Sequence, residues 1–141
     1  ARLRDALPRL ALLPQGGTAA GTGLNRHPDF DRLFCAIVAG DIPADIVYRS
    51  EDAVAFRDIS PQAPVHILVV PTAHLRDVEE LALTDPPMAA GLLEAVAVVA
   101  QQEGISGSFR LVFNTGEPAG QSVFHAHAHM LGGRNLTWPP G

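Results

Sequence analysis

The chain has 141 residues, of which 47% are hydrophobic, and a formal net charge of −5 at pH 7. This length suits one domain with a real core, and no apolar run approaches the ~20 residues that cross a membrane. The single Cys35 excludes an internal disulfide, and because all ten basic residues are arginine, mechanisms that need a lysine are excluded.

Charge is distributed unevenly along the chain. Residues 1–28 hold four arginines against one acid (+3), whereas residues 29–141 hold six arginines against fourteen acids (−8). Residues 29–141 are so acidic that they offer no broad basic surface, and we therefore expect no nucleic-acid polymer as partner. Because the chain has no long apolar run, we expect no membrane as partner either. Phosphate would have to be held locally, by backbone amides, histidines and hydroxyls.

Residues 1–28 are predicted to form a flexible N-terminal tail, which includes His27, because prolines and glycines interrupt every periodic pattern there. The opening of the tail is rich in arginine and poor in acids, which is also typical of the remnant of an organelle transit peptide. We expect a cytoplasmic protein, with an organelle as the alternative left open by the tail. The folded domain is expected to span residues 29–141.

The pattern of residues 29–141 alternates between helices and strands. Val65–Val70 is apolar on both faces apart from His66, which predicts a central, doubly covered strand. A helix from about Pro87 to Glu103 is apolar nearly all round, which favours coverage on more than one side and hence a dimer interface. The remaining predicted elements are a helix at Asp31–Val38 and strands at Ile46–Ser50, Ala53–Arg57 and Phe109–Phe113.

Half of the chain's six histidines lie in Gln121–Met130, where His125, His127 and His129 alternate with alanines. The flanking glycines favour a strand over a helix, and on a strand the three imidazoles would share one face. Two uses remain open from the residues alone. Imidazole is the commonest metal ligand, and it also serves as a nucleophile in covalent catalysis.

The glycine-bearing loop Asn114–Gly120 leads directly into the histidines. Exposed amides beside imidazoles are typical of phosphate sites. We expect His66, on a strand of the same sheet, to join the cluster. Cys35 is interpreted as a small buried core residue, and His74 as a loop or cap residue.

These residues resemble the histidine triad (HIT) family, in particular its nucleotide-binding phosphoramidase branch. The similarity covers about residues 30–141. The stretches that carry it are Asp58–His66, Gly120–Ser122, His125–Leu131 and Trp138–Gly141. Alanines at the two spacers of the triad replace bulkier aliphatic residues, which are more usual in the branch.

The resemblance implies an α+β, HIT-like fold: a roughly five-stranded, mostly antiparallel sheet with a long helix, dimerising into one continuous sheet. It also implies hydrolysis of purine nucleoside phosphoramidates, such as adenosine 5′-monophosphoramidate, to the nucleoside monophosphate (AMP) and an amine, with aminoacyl adenylates as further substrates. No metal or other cofactor is implied. The alternatives are a metal- or nucleotide-binding regulatory partner without significant turnover, and a dinucleoside polyphosphate hydrolase.

The resemblance also implies a role for each histidine of the triad and for His66. His127 would be the nucleophile that forms a nucleotidyl-histidine, its ring held by the carbonyl of His125, and His129 would donate a proton. His66 and His125 would orient the rings, and Ser122 would stabilise phosphoryl charge. The residues implied to bind the nucleotide are Asp58 at the ribose, Leu33, Phe34 and Ile59 at the base, and Asn114, Gly120, Gln121, Ser122, His127 and His129 at the phosphate.

Overall fold

The computed structural model describes residues 30–141, so the tail predicted at residues 1–28, with His27, lies outside the described residues. Eight regular elements and one 3-10 turn follow one another in this part. The helices are α1 (Phe30–Ala39), α2 (Val78–Thr84) and α3 (Pro86–Gln102), with the 3-10 turn at Glu117–Ala119. The strands are β1 (Ile46–Arg49), β2 (Ala53–Arg57), β3 (Val65–Pro71), β4 (Phe109–Phe113) and β5 (Ala128–Gly132).

The five strands form one sheet in the order β1-β2-β3-β5-β4, and each neighbouring pair is antiparallel. The predicted α+β fold with a five-stranded antiparallel sheet is thereby confirmed. Strand β3 lies at the centre, as its apolar sequence predicts. Within residues 30–141 no helix combines the length and the apolar character needed to cross a membrane.

The two faces of the sheet are covered by different helices. On one face, side chains such as Val69 pack against Val96 of α3. On the other face, Leu68 belongs to a second cluster with Phe34 and Ile37 of α1. Because cross-strand partners share a face, the register that pairs Leu68 with His129 places this histidine on the α1 face.

Helix α3 begins as its sequence predicts. Asp85 is the N-cap and accepts a hydrogen bond from the amide of Met88 at 3.1 Å, and prolines follow in the first turn. Gly91 lies on the side of α3 that meets the turn between β1 and β2. A Cβ at this position would lie 2.6 Å from the Cβ of Asp52, so only glycine permits this approach.

The prediction that one strand carries all three clustered histidines is wrong. Strand β5 begins only at Ala128, so His129 lies in the sheet whereas His125 and His127 precede it. The reason is that nearby amides are bonded elsewhere. The amide of Phe124 donates to the carboxylate of Asp31 at 2.9 Å. The amide of Ala126 donates to the carbonyl of Leu75, which precedes α2, at 2.7 Å.

Helix α2 is absent from the predicted elements, although a local signal marks its start. The side chain of Asp77 accepts from the amide of Glu80 at 2.8 Å, and the side chain of Glu80 accepts from the amide of Arg76 at 2.8 Å. This reciprocal pair is a variant of the capping box. An aspartate followed three residues later by a glutamate was therefore sufficient to predict the helix.

Candidate active site

His127 has one ring nitrogen bonded and one available. Its Nδ1 lies 2.8 Å from the carbonyl oxygen of His125. Because a carbonyl only accepts, Nδ1 carries the proton and Nε2 has the free electron pair. The ring is 5% exposed, and burial lowers the pKa of His127 against the opposing effect of the His125 carbonyl. His127 is therefore neutral and has a nucleophilic nitrogen at neutral pH.

A chain of hydrogen bonds sets the tautomer of His129. The amide of Gln62 donates to Nδ1 of His66 at 3.0 Å, so the proton of His66 is on Nε2. That nitrogen lies 3.0 Å from Nδ1 of His129 and donates to it, which leaves the proton of His129 on Nε2. Burial, with added repulsion from His127 and His66, lowers the pKa of His129 to about 3.

Two buried polar atoms stand out within residues 30–141. Nε2 of His129 and Oγ of Ser122 lack a hydrogen-bond partner, although the residues are only 5% and 7% exposed. Buried polar groups are nearly always paired. Both atoms can donate, and the ring of His129 is 5.0 Å from that of His127 between centroids. The arrangement suits a ligand with acceptor oxygens, such as a phosphate.

The loop before the histidines contains Gly116 and ends at Gly120, the glycine that the sequence predicts as a phosphate ligand. Gly116 and Gly120 have φ values of 83° and 99°, which side chains rarely tolerate. The amide of Gly120 donates to Glu117 at 2.9 Å, and the amide of Gln121 donates to Gly116 at 3.1 Å. The two backbone amides predicted to hold phosphate are thus bonded within the loop in this structure.

The predicted ribose and base residues lie on the same side of the sheet. The side chain of Asp58 is 9% exposed, accepts from the amide of Ser60 at 2.8 Å, and lies 3.5 Å from Nε2 of His66. Leu33 and Phe34 belong to one apolar cluster, against which Ile59 packs. Phe34 is 1% exposed and meets the ring of His127 edge-on, with centroids 5.1 Å apart, so it packs directly against this histidine.

Asn114 is half-buried and directly follows β4. The antiparallel register pairs Phe113 with Ala128. The next residues outward are Asn114 on one chain segment and His127 on the other. Asn114 therefore lies at the level of His127 along the sheet.

A second cluster, formed by Cys35, His74 and His125, was not predicted. The Sγ of Cys35 lies 3.1 Å from Nδ1 of His74 and 3.4 Å from Nδ1 of His125, and the two Nδ1 atoms are 3.1 Å apart. Nε2 of His125 donates to the carbonyl of Pro71 at 3.1 Å, so its Nδ1 has a free electron pair. Burial lowers the pKa of His125 to about 4.

This cluster has the donor set of a metal site. The three atoms lie within 4.8 Å of one another, as do single ligand atoms of Asp58, His66 and His129. The interpretation of Cys35 as a small buried core residue is wrong, because Cys35 is only half-buried and its Sγ contacts two imidazoles. Its partners are 39 and 90 residues away, so no local pattern indicates them.

Comparison with known proteins places these features in a family. The HIT domain profile matches residues 39–136. An uncharacterized HIT-like protein from Synechococcus elongatus is 47% identical over 111 residues, covering 79% of this chain and 97% of the relative. A 14 kDa zinc-binding protein from Zea mays is 42% identical over 128 residues, covering 84% and 94%. The crystal structure of a HIT family hydrolase from Legionella pneumophila is 45% identical, with a TM-score of 0.74, and the match covers 77% of this chain and 98% of that one.

Proposed function

The chain belongs to the HIT domain family, and we propose that it is a hydrolase that cleaves purine nucleoside phosphoramidates to a nucleoside monophosphate and an amine. Adenosine 5′-monophosphoramidate is the simplest such substrate, and aminoacyl adenylates are a second class. One observation carries the proposal: the ring of a neutral His127 with a free Nε2 lies 5.0 Å from that of His129, whose buried Nε2, like the buried Oγ of Ser122, has no hydrogen-bond partner.

The proposed reaction has two steps. Nε2 of His127 attacks the phosphorus, the P–N bond breaks, and its electron pair leaves with the amine, which takes up a proton. A nucleotidyl-histidine results. Water then attacks the same phosphorus, the bond to His127 breaks, and the nucleoside monophosphate is released with the ring neutral again.

The two unpartnered donors supply the electrostatic part of this mechanism. As the phosphoryl oxygens gain charge, they can accept from Oγ of Ser122 and from Nε2 of His129. Both groups are already buried, so little reorganisation is needed when the charge develops. The anionic substrate also raises the pKa of His129 from its low value in the free protein, which favours proton transfer to the leaving amine.

We propose nucleotide contacts outside the phosphate as well. Asp58 would accept from the ribose hydroxyls, and Asn114 would donate to the phosphate. The purine would lie against Ile59, with Leu33 beside it and Phe34 beneath. Supporting this, the three apolar residues are in one cluster on the α1 face. Gly120 and Gln121 would shape the phosphate loop rather than donate from their amides.

The first prediction is that the purified chain hydrolyses adenosine 5′-monophosphoramidate to AMP, with and without a chelator. No step above needs a metal, so exhaustive chelation should change kcat/KM by less than about twofold. The assay follows AMP by chromatography, with a dinucleoside polyphosphate as the competing substrate. Absence of AMP release from the phosphoramidate, or faster cleavage of the dinucleotide, would contradict the proposed substrate class.

A metal-binding role is the second candidate, and the cluster of Cys35, His74 and His125 favours it. Thiolate and imidazole together are the donors that zinc prefers. The Zea mays relative is named for zinc binding. The same assay tests this candidate. If turnover is lost on chelation, is restored by zinc and is absent in Cys35→Ser, the protein is zinc-dependent and the metal-free mechanism is wrong.

We also propose that the chain is a homodimer. Strand β4 is at the edge of the sheet, and Leu93 of α3 is 53% exposed on a helix otherwise rich in apolar residues. Both features are typical of surfaces that pair with a second copy. Sedimentation at micromolar concentration should therefore give twice the mass of one chain, and Leu93→Glu should lower that mass. A monomeric wild-type protein would contradict the dimer.

A further inference from the structure

We propose that the side chain of Gln121 is a positioning residue, which holds the Gly116–Gly120 loop and the Ser122 hydroxyl in place without touching the phosphate itself. The inference rests on the proposed function, because it concerns the same phosphate-binding surface. It goes beyond the sequence-based expectation, in which the backbone amide of Gln121 is a ligand of the phosphate and its side chain has no assigned role.

The carboxamide of Gln121 is fully engaged by backbone groups. The residue is 2% exposed. Its Oε1 accepts from the amide of Gly116 at 2.8 Å, and its Nε2 donates to the carbonyls of Arg76 at 2.7 Å and Val123 at 3.0 Å. A primary amide has only two N–H donors. No N–H of this side chain is left for a phosphate oxygen.

Gly116 is bound to Gln121 twice. The side chain of Gln121 accepts from the amide of Gly116, and the backbone amide of Gln121 donates to the carbonyl of Gly116 at 3.1 Å. These two bonds close the loop at its base. A glycine has the largest conformational freedom of any residue, so a loop that begins and ends with one needs such an anchor to keep a single shape.

The same side chain joins the loop to the segment that precedes α2. The carbonyl of Arg76 accepts a hydrogen bond from Nε2 of Gln121. The adjacent carbonyl, of Leu75, accepts one from the amide of Ala126 at 2.7 Å. Two consecutive carbonyls therefore hold the stretch 121–126 near both of its ends. Ser122, with its buried and unpartnered hydroxyl, lies inside this stretch.

The position of that hydroxyl matters because a donor acts on a transition state only from the correct place. A shift of about 1 Å at a catalytic group can cost on the order of 100-fold in rate. Removal of the Gln121 donors should thus lower kcat, whereas the affinity for AMP, which depends on base and ribose contacts as well, should change little.

The test compares Gln121→Glu and Gln121→Met with the control Gln101→Glu, a glutamine exposed on α3. We expect kcat to fall about 100-fold in both Gln121 variants, with the Kd for AMP within about threefold of wild type. In Gln121→Glu the deficit should shrink as the pH falls, because burial raises the pKa of a carboxyl group and protonation restores one donor. Gln121→Met should have no such rescue, and Gln101→Glu should match wild type.

Several results would overturn the proposal. A Kd for AMP that rises in parallel with the loss of kcat would make Gln121 a direct ligand, and an unchanged kcat would remove it from the site. If the variants do not fold, hydrogen exchange of the backbone amides in the nucleotide-free wild-type protein tests whether Gln121 anchors the loop. The Gly116 amide should exchange slowly in its half-buried loop, and rapid exchange would refute the anchor. Exchange does not depend on turnover, so it separates this inference from a failure of the proposed function.

Discussion

Replacement of His127 by asparagine is expected to lower kcat for adenosine 5′-monophosphoramidate by at least about 10,000-fold, or about 5 kcal/mol in activation free energy. The affinity for AMP should stay within about threefold, because in the proposed mechanism His127 supplies the attacking nitrogen and other residues supply most of the binding. Asparagine has no nitrogen with a nucleophilic electron pair, so the two-step route through a nucleotidyl enzyme is closed.

Asparagine is chosen over alanine because His127 is buried. The ring is 5% exposed and its Nδ1 donates to the carbonyl of His125. The amide nitrogen of asparagine can donate to the same carbonyl, which avoids an unpaired acceptor, whereas alanine would leave both an unpaired acceptor and a larger cavity. A loss of turnover in a protein that still melts cooperatively then reports on chemistry rather than on folding.

The measurement has a covalent readout as well as a kinetic one. Acid quenching of wild-type protein during turnover should add the mass of one nucleotide to the peptide that contains His127. The control is His27→Asn, the same substitution in the predicted tail, which should keep both turnover and adduct. An adduct on a different residue, or near-normal turnover of His127→Asn, would show that the nucleophile is assigned wrongly.

Replacement of His129 by glutamine should produce a loss that depends on the leaving group. Glutamine can still donate to the phosphate but cannot transfer a proton to nitrogen. For alkylamine leaving groups, which need that proton, we expect kcat/KM to fall about 1,000-fold. For leaving groups that depart without protonation, the loss should be less than about tenfold.

A series of phosphoramidates that differ in the basicity of the amine measures this dependence. The logarithm of kcat/KM should fall more steeply with amine basicity in His129→Gln than in wild type. The tail substitution His27→Gln serves as the matched control and should leave the wild-type slope unchanged. An equal loss across the whole series would mean that His129 stabilises the phosphoryl charge and takes no part in proton transfer.

The features that the sequence predicts correctly depend on neighbours in the chain. The predicted bounds of β2 and β4 agree with the structure, because short apolar runs that contain phenylalanine and are flanked by turn residues mark both strands. Helix α3 is marked by its aspartate cap and prolines. The hydrogen bond from His127 to the His125 carbonyl was also predictable, since it joins residues two apart.

The features that only the tertiary structure decided depend on partners far away in the sequence. Strand β5 starts late because Asp31, 93 residues away, binds the amide of Phe124. The proton on Nε2 of His129 follows from its contact with His66, which is 63 residues away. Periodicity and capping patterns reflect local geometry alone. The two contacts above form only because α1 and β3 fold onto the histidine segment and hydrogen-bond to groups whose partners the local sequence does not indicate.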